Sequence, residues 1–557
     1  MNKNNLRMDT DIEDIPFSKY PRPGLKRDSF LCLNGKWNKV RVPFPLGSEN
    51  SEIRKAKSFF IYEREFSLPK GFCKDKILLN FGAVDQLCAV YVNGTFVGKH
   101  EGGYIPFSFD ITKCISRLPG AKNTLRVEIT DKLSKLYPFG KQKKIPHGIW
   151  YTPVSGIWQS VWLESVNEGF IEGLEITPDL DRINLHIWSE SHKFKIKIFD
   201  EGKLIFEKDT EVQDEEIPIE NPVLWTPDNP HLYDIEISTP GDRVTSYFGL
   251  RRVEISEIKG IKRILLNGKP FFFNGVLDQG YYPEGIFLPN SEEEYKKDIL
   301  RLKKLGINTI RKHIKIEPEI FYEACDRLGM LVFQDMVNNG SYKFFKHTLF
   351  PTLGKTKWND MKNSVKEDVK NFYALSMEDT LKTLYNHPSV VYITLFNEGW
   401  GQFESDIFYA WAKTMDKTRI IDSTSGWFWQ KKSDVDSYHF YFKPIDFSYT
   451  KRPVIISEFG GFSLKIKDHS LKKIFNFGYG KYKSKEELTK RIVCLYEEEI
   501  LKNISKGLCG AVYTQAFDVE SETNGLYTYD RKVLKVFEKE MKELSKKLTK
   551  EMEKACE

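Results

Sequence analysis

Residues 390–401 read VVYITLFNEGWG, and residues 453–461 read PVIISEFGG. Each is a run of β-branched and aromatic residues that stops on a carboxylate with glycine one or two positions beyond. An apolar run without polar alternation predicts a strand buried on both faces, the habit of parallel strands covered by helices. Six more such runs follow residue 270: FFFNGVL (271–277), INTI (307–310), MLVFQ (330–334), TRII (418–421), VDSYHF (435–440) and GAVYT (510–514). All but one of the gaps between runs can hold a helix. The gap from the fifth run to the sixth is short and suits a reduced connection. Eight parallel strands in about 290 residues is the arithmetic of a (β/α)8 TIM barrel, placed over 258–557.

Local punctuation agrees. Ser291 and Glu294 have the spacing of a capping box before a helix through Leu305, with Gly306 just past its end. Pro318 opens the next helix and Gly329 closes it. Ser484 and Glu487 repeat the box late in the chain. Leu534, Phe537, Met541, Leu544 and Leu548 form one apolar helical stripe, expected to pack on the barrel and a candidate homo-oligomer interface.

Before residue 258 the grammar is that of strands. Short alternating runs such as KILLNFGAV and NTLRVEIT recur, and Asn93-Gly94 sits between two of them as a hairpin signal. A seam near 165–172 divides this half. Residues 1–168 are expected to form a β-sandwich and residues 169–257, about 90 residues, an immunoglobulin-like sandwich.

Composition bounds the function. The chain has 557 residues, 40% hydrophobic and 29% charged, with 11 Trp, 26 Tyr and 40 Phe, which excludes a disordered chain. Its net charge of +6 is small for this length, and the basic run at 531–557 interleaves nine Lys/Arg with six Glu. That is a solvated helix face, so no nucleic-acid partner is expected. No apolar window is long enough for a membrane span, and none follows the first basic residues as a secretory signal would require. The eight cysteines form no CxxC pair and read as reduced thiols in a cytoplasmic protein. No HExxH, phosphate-binding loop or GxSxG is present. No metal or other cofactor is expected.

In a barrel of this kind, chemistry gathers at the C-terminal strand ends. Those ends carry Asp278, Arg311 with His313, Asp335, Asn397 with Glu398, Asp422, Tyr438 with His439, Glu458, and Gln515. Two carboxyls, Glu398 and Glu458, can converge across the mouth from the fourth and seventh strands. Glycoside hydrolysis needs two carboxyls in different protonation states, one to protonate the leaving oxygen and one to attack.

Together with these strand ends, YEREFSLP, FGAVDQLCAVYVNGTFVGKHEGGYIPFSFDIT, SGIWQSVWLE, LWTPDNPHLYDIEI, FGLRRVEI, LLNGKPFFFNGV, GINTIRKH and NHPSVVYITLFNEG make an ordered set across nearly the whole chain. The set resembles glycoside hydrolase family 2, the family of β-galactosidases, β-glucuronidases and β-mannosidases. The resemblance implies a sugar-binding jelly roll, an immunoglobulin-like domain and a catalytic barrel. It implies Glu398 as acid/base, Glu458 as nucleophile and Asn397 as the contact to the sugar 2-hydroxyl. It also implies Arg311 and His313 beside the nucleophile, Tyr438 near it, and Asp278, Asp335 and Gln515 in the pocket. Trp400 and Trp427 are candidates for stacking on the sugar. The expected substrate is a terminal glycoside or oligosaccharide, cleaved by a retaining exo-hydrolase, with β-galactoside first. β-Mannoside, β-glucuronide and α-L-arabinoside stay open, as do a transglycosylase and a non-catalytic carbohydrate-binding protein. Two departures count. Gln334-Asp335-Met336 lacks the Glu-x-His that many β-galactosidases use for magnesium, and the Asn-x-Lys of glucuronidases is missing, with Asn524-Gly525-Leu526 the nearest stretch.

Overall fold

Seven of the eight apolar runs form fully buried strands, and the sixth a partly buried one, in the computed structural model, which describes residues 15–441, 443–447, 450–470 and 477–557. The barrel strands are β1 (Phe273–Asp278), β2 (Thr309–Lys312), β3 (Leu331–Asp335), β4 (Val390–Asn397), β5 (Ile420–Ser425), β6 (Asp436–Phe440), β7 (Val454–Gly460) and β8 (Leu508–Thr514). They pair in parallel in the order β5-β4-β3-β2-β1-β8-β7-β6. Across the seam between β5 and β6 the Ser425 and Ser437 hydroxyls lie 3.2 Å apart, so the eight-stranded ring is nearly closed. Residues 426–435, between β5 and β6, contain no helix, which is the reduced connection expected from the short gap. Every residue of β4 and β7 is buried, so both carboxylate-bearing strands are anchored along their whole length.

Helix ends follow the chain's punctuation with three corrections. Ser291 sits at the N-cap of the helix Glu292–Lys304, but its side chain accepts no capping bond; Glu294 pairs instead with Lys297 at 2.6 Å. The helix Lys485–Leu495 is capped by Ser484, whose hydroxyl accepts the Glu487 N–H, while the Glu487 carboxylate reaches the Lys483 N–H, one residue before the box. Leu534 and Phe537 precede the last helix, Glu538–Cys556, which buries Met541, Leu544, Leu548 and Met552. That stripe belongs to the barrel's own core cluster. Gly329 is required where it stands. It ends the helix Glu319–Leu328 at φ 69°, and a Cβ there would lie 2.3 Å from the Pro227 carbonyl oxygen.

The N-terminal half is two sandwiches. The first packs the sheet Phe30–Cys32, Val161–Val166, Lys76–Phe81, Phe107–Asp110 on the sheet Phe59–Phe66, Asn123–Thr130, Leu87–Val92, Thr95–Glu101. Asn93 and Gly94 turn between the last two strands with φ of 49° and 80°, the paired positive angles that a two-residue hairpin demands. The second packs three strands (171–178, 182–189, 214–218) on four (203–210, 194–200, 233–238, 243–248) in the immunoglobulin manner. None of the eight cysteines is paired. Among the described residues no helix is long and apolar enough to cross a membrane.

A buried ion cluster clasps the two sandwiches. Arg27 donates to Glu164 at 2.8 Å, to Asp242 at 3.0 Å and to the Ile171 carbonyl. Burial would raise the Glu164 carboxyl, but Arg22 and Arg27 outweigh it and hold it below the usual range. A lowered folded-state pKa stabilises above the unfolded value, and the gain is lost as pH falls through the folded one. Arg27→Ala takes the buried cation from Asp242 and leaves Glu164 with Arg22 alone, and should cost roughly 3–5 kcal/mol. Calorimetry should show the melting transition fall at neutral pH and the deficit shrink in acid. An unchanged transition would refute the clasp.

Candidate active site

The C-terminal ends of β3, β4 and β7 converge on one guanidinium carried by β2. Arg311, from β2, is 1% exposed. It donates to Asp335 at 3.0 Å, to Glu458 at 3.1 Å, to the Asn397 side-chain oxygen at 2.9 Å and to the Ser457 carbonyl at 2.9 Å. Asp335 also accepts from His313 Nδ1 at 2.6 Å. Burial drives the His313 ring well below its usual pKa, so it stands neutral, with its proton on Nδ1 facing Asp335.

Glu458 is held at both oxygens. Arg311 binds Oε1, and the Tyr441 hydroxyl donates to Oε2 at 2.6 Å. Burial alone would raise this carboxyl. His439, His313 and Arg311 outweigh it and hold the carboxyl at about 2. Of these three neighbours, Arg311 alone keeps its positive charge at every pH. Glu398 follows β4 with φ 52°, a left-handed conformation unusual for a residue with a side chain. Its N–H bonds the Ser425 carbonyl at 2.9 Å, and its carbonyl accepts from Trp427 Nε1 at 3.1 Å. Gly399 follows at φ 70°, and a Cβ there would run into the Phe428 ring at 2.3 Å.

His439 joins the two carboxylates. Its Nδ1 is 2.8 Å from Glu398 Oε1 and its Nε2 is 3.6 Å from Glu458 Oε1. One oxygen of each carboxylate and one His439 nitrogen lie within 4.8 Å of each other, the one such grouping among the described residues. These three groups could chelate a divalent ion. Glu398 is already hydrogen-bonded to His439, and Glu458 to Arg311 and Tyr441, which suits a proton network better than a cation site. All of them face a cavity of about 680 Å³, lined also by His313, Trp427 and Tyr479 and, from the first sandwich, by Lys141 and Trp150.

Several expected pocket residues stand elsewhere. Asp278 is taken by Lys312 at 2.6 Å and by the Gly280 N–H. Asp335 and Asn397 lie behind the cavity and act on Arg311. Gln515 supports Asn524 at 2.8 Å and Gln279 at 3.1 Å from behind. Trp400 is buried against Trp150 and Phe139, as a wall under the first sandwich. Tyr438 meets Trp429 edge to face and lines the cavity with it; the phenol that reaches Glu458 is that of Tyr441. Strand alternation explains this correction: 439 and 441 share a face and 438 takes the other. The sequence therefore held the signal for His439 and Tyr441, in the spacing His-x-Tyr. Lys141 and Glu522 had none, since neither ends a barrel strand.

This geometry has matches among known proteins. Residues 29–164 match the family model for the glycosyl hydrolases family 2 sugar binding domain, 171–251 that for glycosyl hydrolases family 2, and 256–476 that for the family 2 TIM barrel domain. The chain belongs to glycosyl hydrolase family 2. It is 27% identical over 335 residues to a β-galactosidase of Thermoanaerobacter pseudethanolicus, covering 56% of this chain and 42% of that one. It is 25% identical over 421 residues to a β-glucuronidase of Rattus norvegicus, covering 68% and 61%. The matches thus span only about two to three fifths of these relatives' lengths. A β-D-glucuronidase structure from Dictyoglomus thermophilum superposes with a TM-score of 0.74 at 20% identity, over 95% of this chain and 98% of that one. A β-galacturonidase from Eisenbergiella tayi gives 0.67 at 19% identity, over 94% and 97%. At these identities the two structures establish the shared fold.

Arg311→Met removes the permanent cation beside Glu458. The carboxyl should then rise from about 2 toward and beyond the ordinary carboxylate range. Titration of a ¹³C-carboxyl-labelled protein would show it, and an unmoved Glu458 resonance would refute the role given to Arg311.

Proposed function

We propose that this protein is a retaining, exo-acting glycoside hydrolase with Glu458 as nucleophile and Glu398 as acid/base. The observation that carries the reading is the approach of the two carboxylates to within 4.8 Å. Retaining enzymes hold theirs about 5–5.5 Å apart, and inverting enzymes leave about 6.5–9.5 Å for a water. The environments suit the roles. Glu458 is kept ionised and oriented by Arg311 and Tyr441. Glu398 is bonded to His439 and faces the cavity.

In the first step a Glu458 oxygen attacks C1 of the terminal sugar. The bond from C1 to the leaving oxygen breaks, and Glu398 delivers its proton to that oxygen. In the second step water attacks C1 of the glycosyl ester while Glu398 takes a proton from it. The ester bond breaks, Glu458 is restored as carboxylate, and the sugar departs with its configuration retained. Glu458→Gln should lower turnover of a nitrophenyl glycoside by at least about a thousandfold. Azide should rescue Glu458→Ala as the opposite-anomer glycosyl azide. NMR of the first product should show the substrate's anomer, and an inverted product would end this reading.

β-Galactoside is the substrate expected from the sequence, and relatives bear that name. β-Glucuronide is the second reading, favoured by a specific observation. Lys141 lines the cavity and adds its positive charge to the field on Glu458, His313 and Glu522. There it can meet a sugar carboxylate without the missing Asn-x-Lys. Lys141→Met should cut kcat/KM for nitrophenyl glucuronide by about tenfold or more and change nitrophenyl galactoside little. Equal losses on both sugars would discard the second reading. Chelation by EDTA should leave turnover unchanged, whereas a loss restored by a divalent ion would turn Glu398, His439 and Glu458 into a metal site.

A further inference from the structure

Lysines on the last helix have acidic partners: Lys542 pairs with Glu538 and Lys547 with Glu497. The barrel mouth is different. Two segments from separate domains meet there, 132–150 of the first sandwich and 341–366 after β3. Near their ends Gly340 N bonds Lys135 O at 2.9 Å and Phe139 N bonds Asn338 O at 3.1 Å, and the Trp150 and Tyr342 rings meet at 5.0 Å. The first segment has five lysines and no acidic residue; the second has six lysines and only Asp360. Asp360 is buried and bonded to Gln402 and Ser405. Lys443, beyond β6, lines the same cavity as Lys141 and Lys143. Among the described residues none of these twelve lysines has a carboxylate oxygen within 4.0 Å.

Such a concentration is self-repelling. Burial and then the neighbouring Lys343 lower the Lys346 ammonium to about 8. Exposed rings stand among the charges: Phe344 lines the cavity and is 55% exposed, and Trp429 lines it from the opposite loop. Cations without carboxylate partners, set beside exposed aromatic faces, are the composition that holds an acidic, ring-shaped ligand.

We infer that the leaving-group side of this site binds a glycan bearing acidic groups, carboxylates or sulfate esters, with the lysine collar as their counter-charge. The inference rests on the glycosidase reading for what happens to that glycan, but not for its binding. A nucleic acid is the less fitting polyanion, because three of these lysines, Lys141, Lys143 and Lys443, line the cavity that holds Glu398 and Glu458, with the others on the segments that frame it.

The test is binding by titration calorimetry to the full chain carrying Glu458→Gln, so that no probe is consumed. The probes are an oligogalacturonate for carboxylates, a heparin-derived oligosaccharide for sulfates, a neutral cello-oligosaccharide and a single-stranded DNA. At least one acidic oligosaccharide should bind about tenfold or more tighter than the neutral one, and should weaken about tenfold between roughly 0.05 and 0.5 M salt. Which acidic probe binds identifies the group. Adding Lys343→Gln, Lys346→Gln and Lys355→Gln together should weaken it by a similar factor, and the three Lys→Arg changes should keep it. Thermal melts verify that both triple variants are folded. Binding that ignores charge and salt, or DNA binding as tight as the acidic glycan, overturns the inference. Wild-type protein that cleaves no glycoside yet binds the acidic probe through the collar would sink the glycosidase reading and leave this one standing.

Discussion

The buried guanidinium of Arg311 is the constraint on which the mouth of this barrel depends. Taking an arginine out of water costs several kcal/mol unless its charge and its donors are met. Here Asp335 and Glu458 meet the charge, while Asn397 and the Ser457 carbonyl take further donors. Those four partners come from β3, β4 and β7. One side chain on β2 therefore sets the relative position of the strand ends that carry both glutamates. The same contact decides the electrostatics. Without a permanent cation, burial would raise the Glu458 carboxyl toward neutrality, and a neutral carboxyl is no nucleophile.

Around this fixed centre the site is composite. His439 lies between Glu398 and Glu458, and Tyr441 holds the second oxygen of Glu458. Both come from the end of β6, next to the seam that the Ser425 and Ser437 hydroxyls span. The opposite wall belongs to another domain. Gln142, buried beside Lys141, bonds Asp85, the Phe139 carbonyl and the Val154 N–H. That network fixes the loop that carries Lys141 and Trp150 into the barrel mouth. A sandwich with its own core thus supplies part of the cavity, and the clasp through Arg27 limits how the two sandwiches can shift against each other.

Much of the fold was legible in the chain because its signals are local. β4 and β7 are read from apolar runs that end at Asn397-Glu398 and Ser457-Glu458, since a strand buried on both faces carries few polar residues before its end. The same holds for Asn93-Gly94, whose positive φ angles are the cheapest for those residue types. Where local reading failed, a tertiary partner had taken the residue. Asp278 went to Lys312, Trp400 to Trp150, and Ser291 kept its backbone position without its side-chain bond. Tyr438 lines the cavity but does not reach Glu458, because strand alternation puts His439 and Tyr441 on the face toward the carboxylates.

The sequence by itself determined three things: the eight strands, the order of the domains and the two glutamates, because periodicity and strand ends are properties of a few neighbouring residues. Tertiary structure alone decided the 4.8 Å approach of the carboxylates, the low pKa of Glu458 and the gathering of lysines from residues 132–150 and 341–366 at one mouth. Coulomb interactions depend on distance in space and on the local dielectric. Residues hundreds of positions apart acquire both only when the barrel closes and the first sandwich docks on it.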